Sequence, residues 1–330
     1  MQFVLLILGL AMIIKSADVL IDSASKIARR YGVSSFIIGI TVIAFGTSAP
    51  ELAVGIMSGI SRTNQLTLGN IIGSSMSNIA LIVGLSAVIF PLQVKDTVLK
   101  RELPILFGIQ IALGAMMFFD GQLSRTEGLI LMGLFVLFMV YISMDARKSM
   151  KIQIDADGDI DTGNDGNGLP LQTDSEQKSP GLIKLWLFSL LSLAGLFVGG
   201  KLTVDSSTQI AQSFGLSETL IGLTVVALAT TMPELITSIM AARKNEHEIV
   251  LGNCIGSNIF NILLVLGVSS TITPIAVEEK LWFDVASMLF LTVFIFMVSL
   301  LRKRLQRRTG IFLLAGYVVY LVIKVLSALS

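Results

Sequence analysis

The chain has a single cysteine, Cys254, which excludes a disulfide framework of the secreted kind. It has a single histidine, His247, placed by the sequence in a loop, so a serine–histidine dyad within a membrane span is excluded too. Charge is scarce. Asp, Glu, Lys and Arg make up 14% of residues, where a soluble domain carries about 25% to meet water. A net charge of +1 lacks the basic footprint of a nucleic-acid binder. What remains is apolar: 53% of 330 residues are hydrophobic and the mean hydropathy is +0.82. Too little polar surface is left to cover a water-soluble core. The composition predicts an all-α integral membrane protein with the lipid bilayer as its main partner.

A helix crossing about 30 Å of hydrocarbon needs roughly 20 mainly apolar residues. Ten stretches qualify: 3–25, 35–59, 67–90, 103–119, 127–144, 182–204, 217–241, 248–272, 282–301 and 310–327. They are apolar all round and lack the period of two of barrel strands. The first has neither a basic leader nor a small-residue cleavage site, so it is read as a retained span. Residues 146–181 break the pattern with many Asp and Gly, and read as a disordered acidic linker between two five-helix units, 1–145 and 182–330. The alternating acids from Asp155 to Asp161 suggest a calcium loop, but Ile160 and Gly166 stand where an EF-hand requires Gly and Glu. Lys and Arg fall unevenly among the loops. Eighteen lie on one side, including Arg29, Arg30, Lys95, Arg243, Lys244 and the cluster from Arg302 to Arg308. Only Arg62, Arg125, Lys280 and Lys324 lie on the other. The positive-inside rule then puts the central loop in the cytoplasm and both termini outside. The compact loops fit a prokaryotic plasma (inner) membrane.

Slid against itself, the sequence matches at a constant offset of 183 residues. Ile38–Val42 falls on Ile221–Val225, Pro50-Glu51-Leu52 on Pro233-Glu234-Leu235, and Leu68-Gly69-Asn70 on Leu251-Gly252-Asn253. Gly73-Ser74, Asn78 and Gly84 fall on Gly256-Ser257, Asn261 and Gly267. Gly, Pro, Glu and Asn carry the match, and these do not coincide by chance in apolar spans. Each unit has five spans, an odd number, so the second enters the membrane from the opposite face. Inverted repeats of this kind mark secondary transporters whose site lies at the midplane.

Glu51 and Glu234 fall near the centres of the second and seventh spans, where an ionisable group is costly and a functional role is the default reading. Pro50 and Pro233 precede them and free the carbonyls of Gly46 and Ala229, four residues back. Thr47 shares a helix face with Glu51, and Thr230 with Glu234. Asn70, Ser74 and Asn78 form an i, i+4, i+8 stripe in the third span; Asn253, Ser257 and Asn261 repeat it in the eighth. Asn70 and Asn253 read equally well as interhelical glue or as ligands. All these groups offer oxygen, which suits hard cations such as Na⁺ and Ca²⁺. Lys15 and Asp18, Asp22 and Lys26, and Lys201 and Asp205 stand at helical spacing and are expected to pair within the first and sixth spans.

Gly46-Thr47-Ser48-Ala49-Pro50-Glu51 with Gly69–Ser74, and Ala229–Glu234 with Gly252–Asn261, resemble the two alpha-repeats of the sodium/calcium exchanger family, within the cation/calcium exchanger superfamily. The motifs occupy about 31–84 and 214–267. The resemblance implies ion ligands at Glu51 and Glu234, at Thr47, Ser48, Thr230 and Thr231, at the backbone of Ala44 and Ala227, and at Ser74, Asn78, Ser257 and Asn261. In that family the first and sixth helices resemble a sliding gate. The chain departs from the pattern in reading Ala229-Thr230-Thr231 for Gly-Thr-Ser, and Ser75-Met76-Ser77 where Asn-x-Phe is commoner. Asn261 stands where the potassium-dependent branch has Asp, and Gly73 and Gly256 stand where the proton-coupled branch carries an acid.

The expected function is therefore exchange of Na⁺ for Ca²⁺ by alternating access, independent of K⁺. Exchange of Ca²⁺ or another divalent cation for H⁺ is the alternative. No enzyme activity, resident cofactor, nucleic acid or obligate protein partner is expected. An intramembrane aspartyl protease would need an acid pair in a Gly-Asp setting, which the spans lack. A channel would conduct slowly through a site that holds a divalent ion between two carboxylates.

Overall fold

The computed structural model describes residues 1–61, 65–158, 181–214 and 227–329. Its helices are α1 (Gln2–Tyr31), α2 (Ser35–Thr47), α3 (Ala49–Ser61), α4 (Thr67–Ile89), α5 (Val98–Asp120), α6 (Arg125–Gly158), α7 (Leu182–Ser213), α8 (Ala227–Arg243), α9 (His247–Ile272), α10 (Leu281–Arg302) and α11 (Arg307–Leu329). Among the described residues, seven helices are long and apolar enough to cross a membrane, or eight with α2 and α3 counted as one bent span, against the ten expected from sequence. The match Ile221–Val225, the tip Arg62-Thr63-Asn64 and most of the acidic linker lie outside the described residues. His247 opens α9 rather than sitting in a loop.

Local sequence sets the boundaries. Gly32, at φ 64°, ends α1 in the left-handed region, and Ser34 then caps α2 by accepting from the Ile37 amide at 3.4 Å. Gly121, at φ 60°, ends α5 in the same way. α6 runs on past residue 144 because residues 145–157 contain neither Pro nor Gly to interrupt it. Pro50 breaks its span: α2 and α3 meet at Ser48 with a 46° bend. Pro233 lies inside α8 with no such break.

The interior is built around α4 and α9, whose apolar windows are 78% and 94% buried, against 17% for α6. α2, α3 and α8 pack on them, and α5, α6, α10 and α11 close the outside. α1 and α7 run together along one flank, with Ile7, Leu8, Leu190 and Leu191 facing outward. Small residues let these two backbones approach: a β-carbon on Gly199 would lie 3.0 Å from the Gly9 carbonyl. Outward apolar side chains over a polar-lined interior are what a lipid solvent selects.

Two strand pairs tie the halves of the chain. β1 (Leu92–Gln93) pairs antiparallel with β4 (Arg304–Leu305), and β2 (Gln122–Leu123) with β3 (Ile275–Ala276). α5 runs from β1 to β2, so the pairs sit at opposite ends of the bundle. Lys303 bonds Asp96 beside β1 and holds that carboxyl below the usual carboxylate range. The sequence offset reappears in local structure. π-helical turns at Asn78–Val83 and Asn261–Leu266 are each followed by one short α-helical stretch, Gly84–Ile89 and Gly267–Ile272.

The ion pairs expected within α1 are replaced by a tertiary one. Lys15 reaches Asp18 only at 4.0 Å, while the Lys244 ammonium bonds Asp18 and Asp22 at 2.6 Å each. The i, i+4 spacing of Asp22 and Lys26 loses to Lys244 because that residue, just beyond α8, arrives from across the bundle and serves both acids at once.

Candidate functional site

α2 and α9 cross closely because Gly39 and Gly252 face one another. A β-carbon on Gly252 would meet the Phe36 carbonyl at 2.6 Å, and one on Gly256 would meet the Ile40 carbonyl at 2.8 Å. This approach carries Thr47 onto α9. Its hydroxyl donates to Asn253 Oδ1 at 3.1 Å and lies 3.4 Å from the Ser257 hydroxyl. Asn253 Nδ2 in turn donates to Ser238 of α8 at 3.1 Å. One buried amide therefore links α2, α8 and α9.

α4 crosses α9 with further amide bonds. Asn78 Nδ2 donates to Asn258 Oδ1 at 2.9 Å, and Asn261 Nδ2 approaches the Ser74 hydroxyl at 3.5 Å. Asn258 Nδ2 reaches the Ser75 carbonyl at 3.4 Å, and the Cys254 thiol donates to the Asn78 carbonyl at 3.1 Å. Asn78 and Asn261 thus spend their donors on neighbours and keep their side-chain oxygens unpartnered. Among the described residues no hydrogen bond of full geometry meets the carboxylate oxygens of Glu51 or Glu234, or the hydroxyls of Ser48 and Thr237, although the Thr47 hydroxyl acts on the Glu234 carboxylate. Glu51 and Glu234 are each 1% exposed.

Unsatisfied buried polar atoms are uncommon and each asks for an explanation. Here all the unpartnered atoms just named are oxygens, from two carboxylates, two amides and two hydroxyls. Oxygens are the donor type that hard cations take, and two of the residues that carry them here are carboxylic acids. Among the described residues, no group of three or more His, Cys, Asp or Glu could hold a metal ion.

The residues expected from sequence are placed as follows. Thr47, Ser48, Ser74, Asn78, Thr230, Thr231, Ser257 and Asn261 are all buried. The Ala44 carbonyl accepts from the Ser48 amide at 3.0 Å and the Thr47 hydroxyl at 3.4 Å. Ala227 is the first residue of α8, and its side chain lies outside the described residues. Asn253, read from sequence as interhelical glue or ligand, bonds α2 and α8, and two residues absent from the expected set, Asn258 and Ser238, join the cluster. Asn258 was legible only as part of the Gly256-Ser257-Asn258 motif, because its counterpart at the repeat offset is Ser75. Ser238 has a glycine, Gly55, at that offset and left no signal.

The family model for sodium/calcium exchanger proteins matches residues 1–144 and 184–326. The chain belongs to the sodium/calcium exchanger family. Among curated relatives, the inner membrane protein YrbG of Escherichia coli is 36% identical over 96% of this chain and 94% of its own length. The sodium/calcium exchanger MaX1 of Methanosarcina acetivorans is 32% identical over 98% of each chain. The solved structure of the sodium-calcium exchanger NCX_Mj, soaked with 10 mM Na⁺ and zero Ca²⁺, superposes with a TM-score of 0.78 at 29% identity, covering 97% of this chain and 98% of that one. Family and fold make this exchanger-family chain a multi-pass membrane transporter of the cation/Ca²⁺ antiporter kind, not an enzyme.

Proposed function

We propose that the chain exchanges Na⁺ for Ca²⁺ by alternating access, without K⁺, across a prokaryotic plasma membrane. The observation that carries this reading is the set of buried, unpartnered oxygens on Glu51, Glu234, Asn78 and Asn261. Two carboxylates balance one Ca²⁺ or an equivalent charge of Na⁺, so the ions compete for one site. Thr47, Ser48, Thr230, Thr231, Ser74, Ser257 and the backbone of Ala44 and Ala227 complete it. Asn261 in place of an acid keeps the site at two carboxylates, which favours K⁺ independence; glycine at 73 and 256 favours Na⁺ over H⁺.

The architecture in this reading is ten spans in two inverted repeats, with the site at the midplane where they meet. Paired local features support it. The π turns recur at the repeat offset, and β1 and β3 stand at that offset while each pairs with a strand of the other half. Both termini then face outward and the linker lies in the cytoplasm, as the Lys and Arg asymmetry requires.

The reading is tested by calorimetric titration of Ca²⁺ into the purified full-length protein at stepped Na⁺ concentrations. Saturable Ca²⁺ binding that weakens as Na⁺ rises, and that Glu51→Gln removes, is expected. Ca²⁺ binding indifferent to Na⁺ overturns the shared site.

A further inference from the structure

Each half supports its π turn differently. In α11, Gly310 packs on Gly84 of α4; in α6, Gly128 packs on Gly267 of α9. Seven residues beyond each outer glycine stand Tyr317 and Phe135, and seven before each inner one stand Ser77 and Phe260. The two crossings therefore bring together equivalent residues of opposite chemistry. Phe260 meets Phe135 edge-on, with ring centroids 5.0 Å apart. Ser77 and the Tyr317 phenol share a buried hydrogen bond of 2.6 Å. This is the place where the sequence departs from the family pattern, with Ser77 where a phenylalanine is commoner.

Ser77 is the last residue before the π turn that opens at Asn78. A π turn carries one extra residue per loop, so the direction of its first side chain depends on how the preceding backbone is held. Tyr317 is itself fixed from outside. Its ring stacks on Tyr320 at 6.3 Å, whose hydroxyl donates to Asp284 Oδ1 at 3.1 Å, while Lys324 bonds Asp284 Oδ2 at 2.6 Å. A run of side chains thus links a partly buried ion pair between α10 and α11 to the residue beside Asn78. Asn78 is further held by Asn258 at 2.9 Å and Cys254 at 3.1 Å, whereas Asn261 has one contact at 3.5 Å and an apolar neighbour.

We propose that Tyr317 is a positioning residue that, through Ser77, fixes the Asn78 side-chain oxygen in the cation site and makes the first half of the site the stiffer one. The proposal rests on the reading of Asn78 as an ion ligand given above. Tyr317 touches no ion; its effect falls on affinity.

The test is Ca²⁺ titration and Ca²⁺ transport with the full-length protein carrying Tyr317→Phe, Ser77→Ala or both, beside wild type and Glu51→Gln. One buried hydrogen bond corresponds to roughly a five- to tenfold rise in the Ca²⁺ half-saturation, with the maximal rate retained. The double variant is expected to be no weaker than the weaker single one, since both act through one contact. Thermal unfolding run in parallel separates positioning from scaffolding. A lowered melting temperature with unchanged half-saturation overturns the proposal, as do losses that add in the double variant. If wild type binds no Ca²⁺, the parent reading falls and takes this one with it. If wild type binds Ca²⁺ and Tyr317→Phe matches it, this proposal alone fails.

Discussion

The Thr47 hydroxyl on α2 donates to Asn253 Oδ1 on α9 at 3.1 Å, joining residues 206 apart in sequence at the centre of the bundle. Asn253 passes the link to Ser238 on α8, so three helices that carry site residues meet on one side chain. Asn253→Leu would take from the Ser238 hydroxyl the amide that donates to it and leave the Thr47 hydroxyl only its 3.4 Å contacts with Ser257 and the Ala44 carbonyl. We expect it to lower stability by about 1–3 kcal/mol, measured by thermal unfolding in detergent. An unchanged melting temperature would show that the amide bears no weight.

Glu51→Gln and Glu234→Gln keep the shape of the side chain and remove its charge. Each is expected to abolish Ca²⁺ exchange while the protein elutes and melts as wild type does. Full exchange in either variant would remove that carboxylate from the mechanism.

External acid should inhibit. A carboxyl group holds these cations as the carboxylate, so a proton on Glu51 or Glu234 competes directly with Ca²⁺ and Na⁺. The half-saturation for Ca²⁺ is expected to rise as pH falls, with the maximal rate recovered at high Ca²⁺. A profile flat from mildly acidic to alkaline pH contradicts this.

Gly252→Ala would push a β-carbon to 2.6 Å from the Phe36 carbonyl and 2.9 Å from the Ile40 amide. Both are backbone atoms and cannot swing aside. Overpacking of this kind costs about 1–3 kcal/mol, and it would also separate Thr47 from Asn253. The variant is expected to melt lower and to bind Ca²⁺ more weakly; wild-type values for both would show that α2 and α9 tolerate separation.

Much of this was legible in the sequence because lipid makes polarity conspicuous. A Glu, Asn or Thr in an apolar span is visible where the same residue on a soluble surface is not, and the 183-residue offset doubled every signal. Seven or eight of the ten apolar runs appear among the described residues as helices able to span a membrane, and the break at Ser48 lies two residues before Pro50, within the run read from sequence as one span. What the sequence hid were contacts set by tertiary approach. Asp18 and Asp22 turned to Lys244 although Lys15 and Lys26 stood at helical spacing, because local pairing on an exposed helix is worth only a few tenths of a kcal/mol. Asn258 and Ser238 escaped because their repeat counterparts, Ser75 and Gly55, do not share their chemistry. Pro233, in a motif like that of Pro50, stays within a continuous helix, so similar local signals gave two geometries.

Uptake of Ca²⁺ into Na⁺-loaded proteoliposomes, diluted into Na⁺-free buffer beside a matched pH-gradient control, tests the central claim most directly. The account predicts uptake that requires internal Na⁺, is indifferent to K⁺ and disappears in Glu51→Gln. Uptake driven by the pH gradient alone would contradict it and assign the same site to proton-coupled exchange.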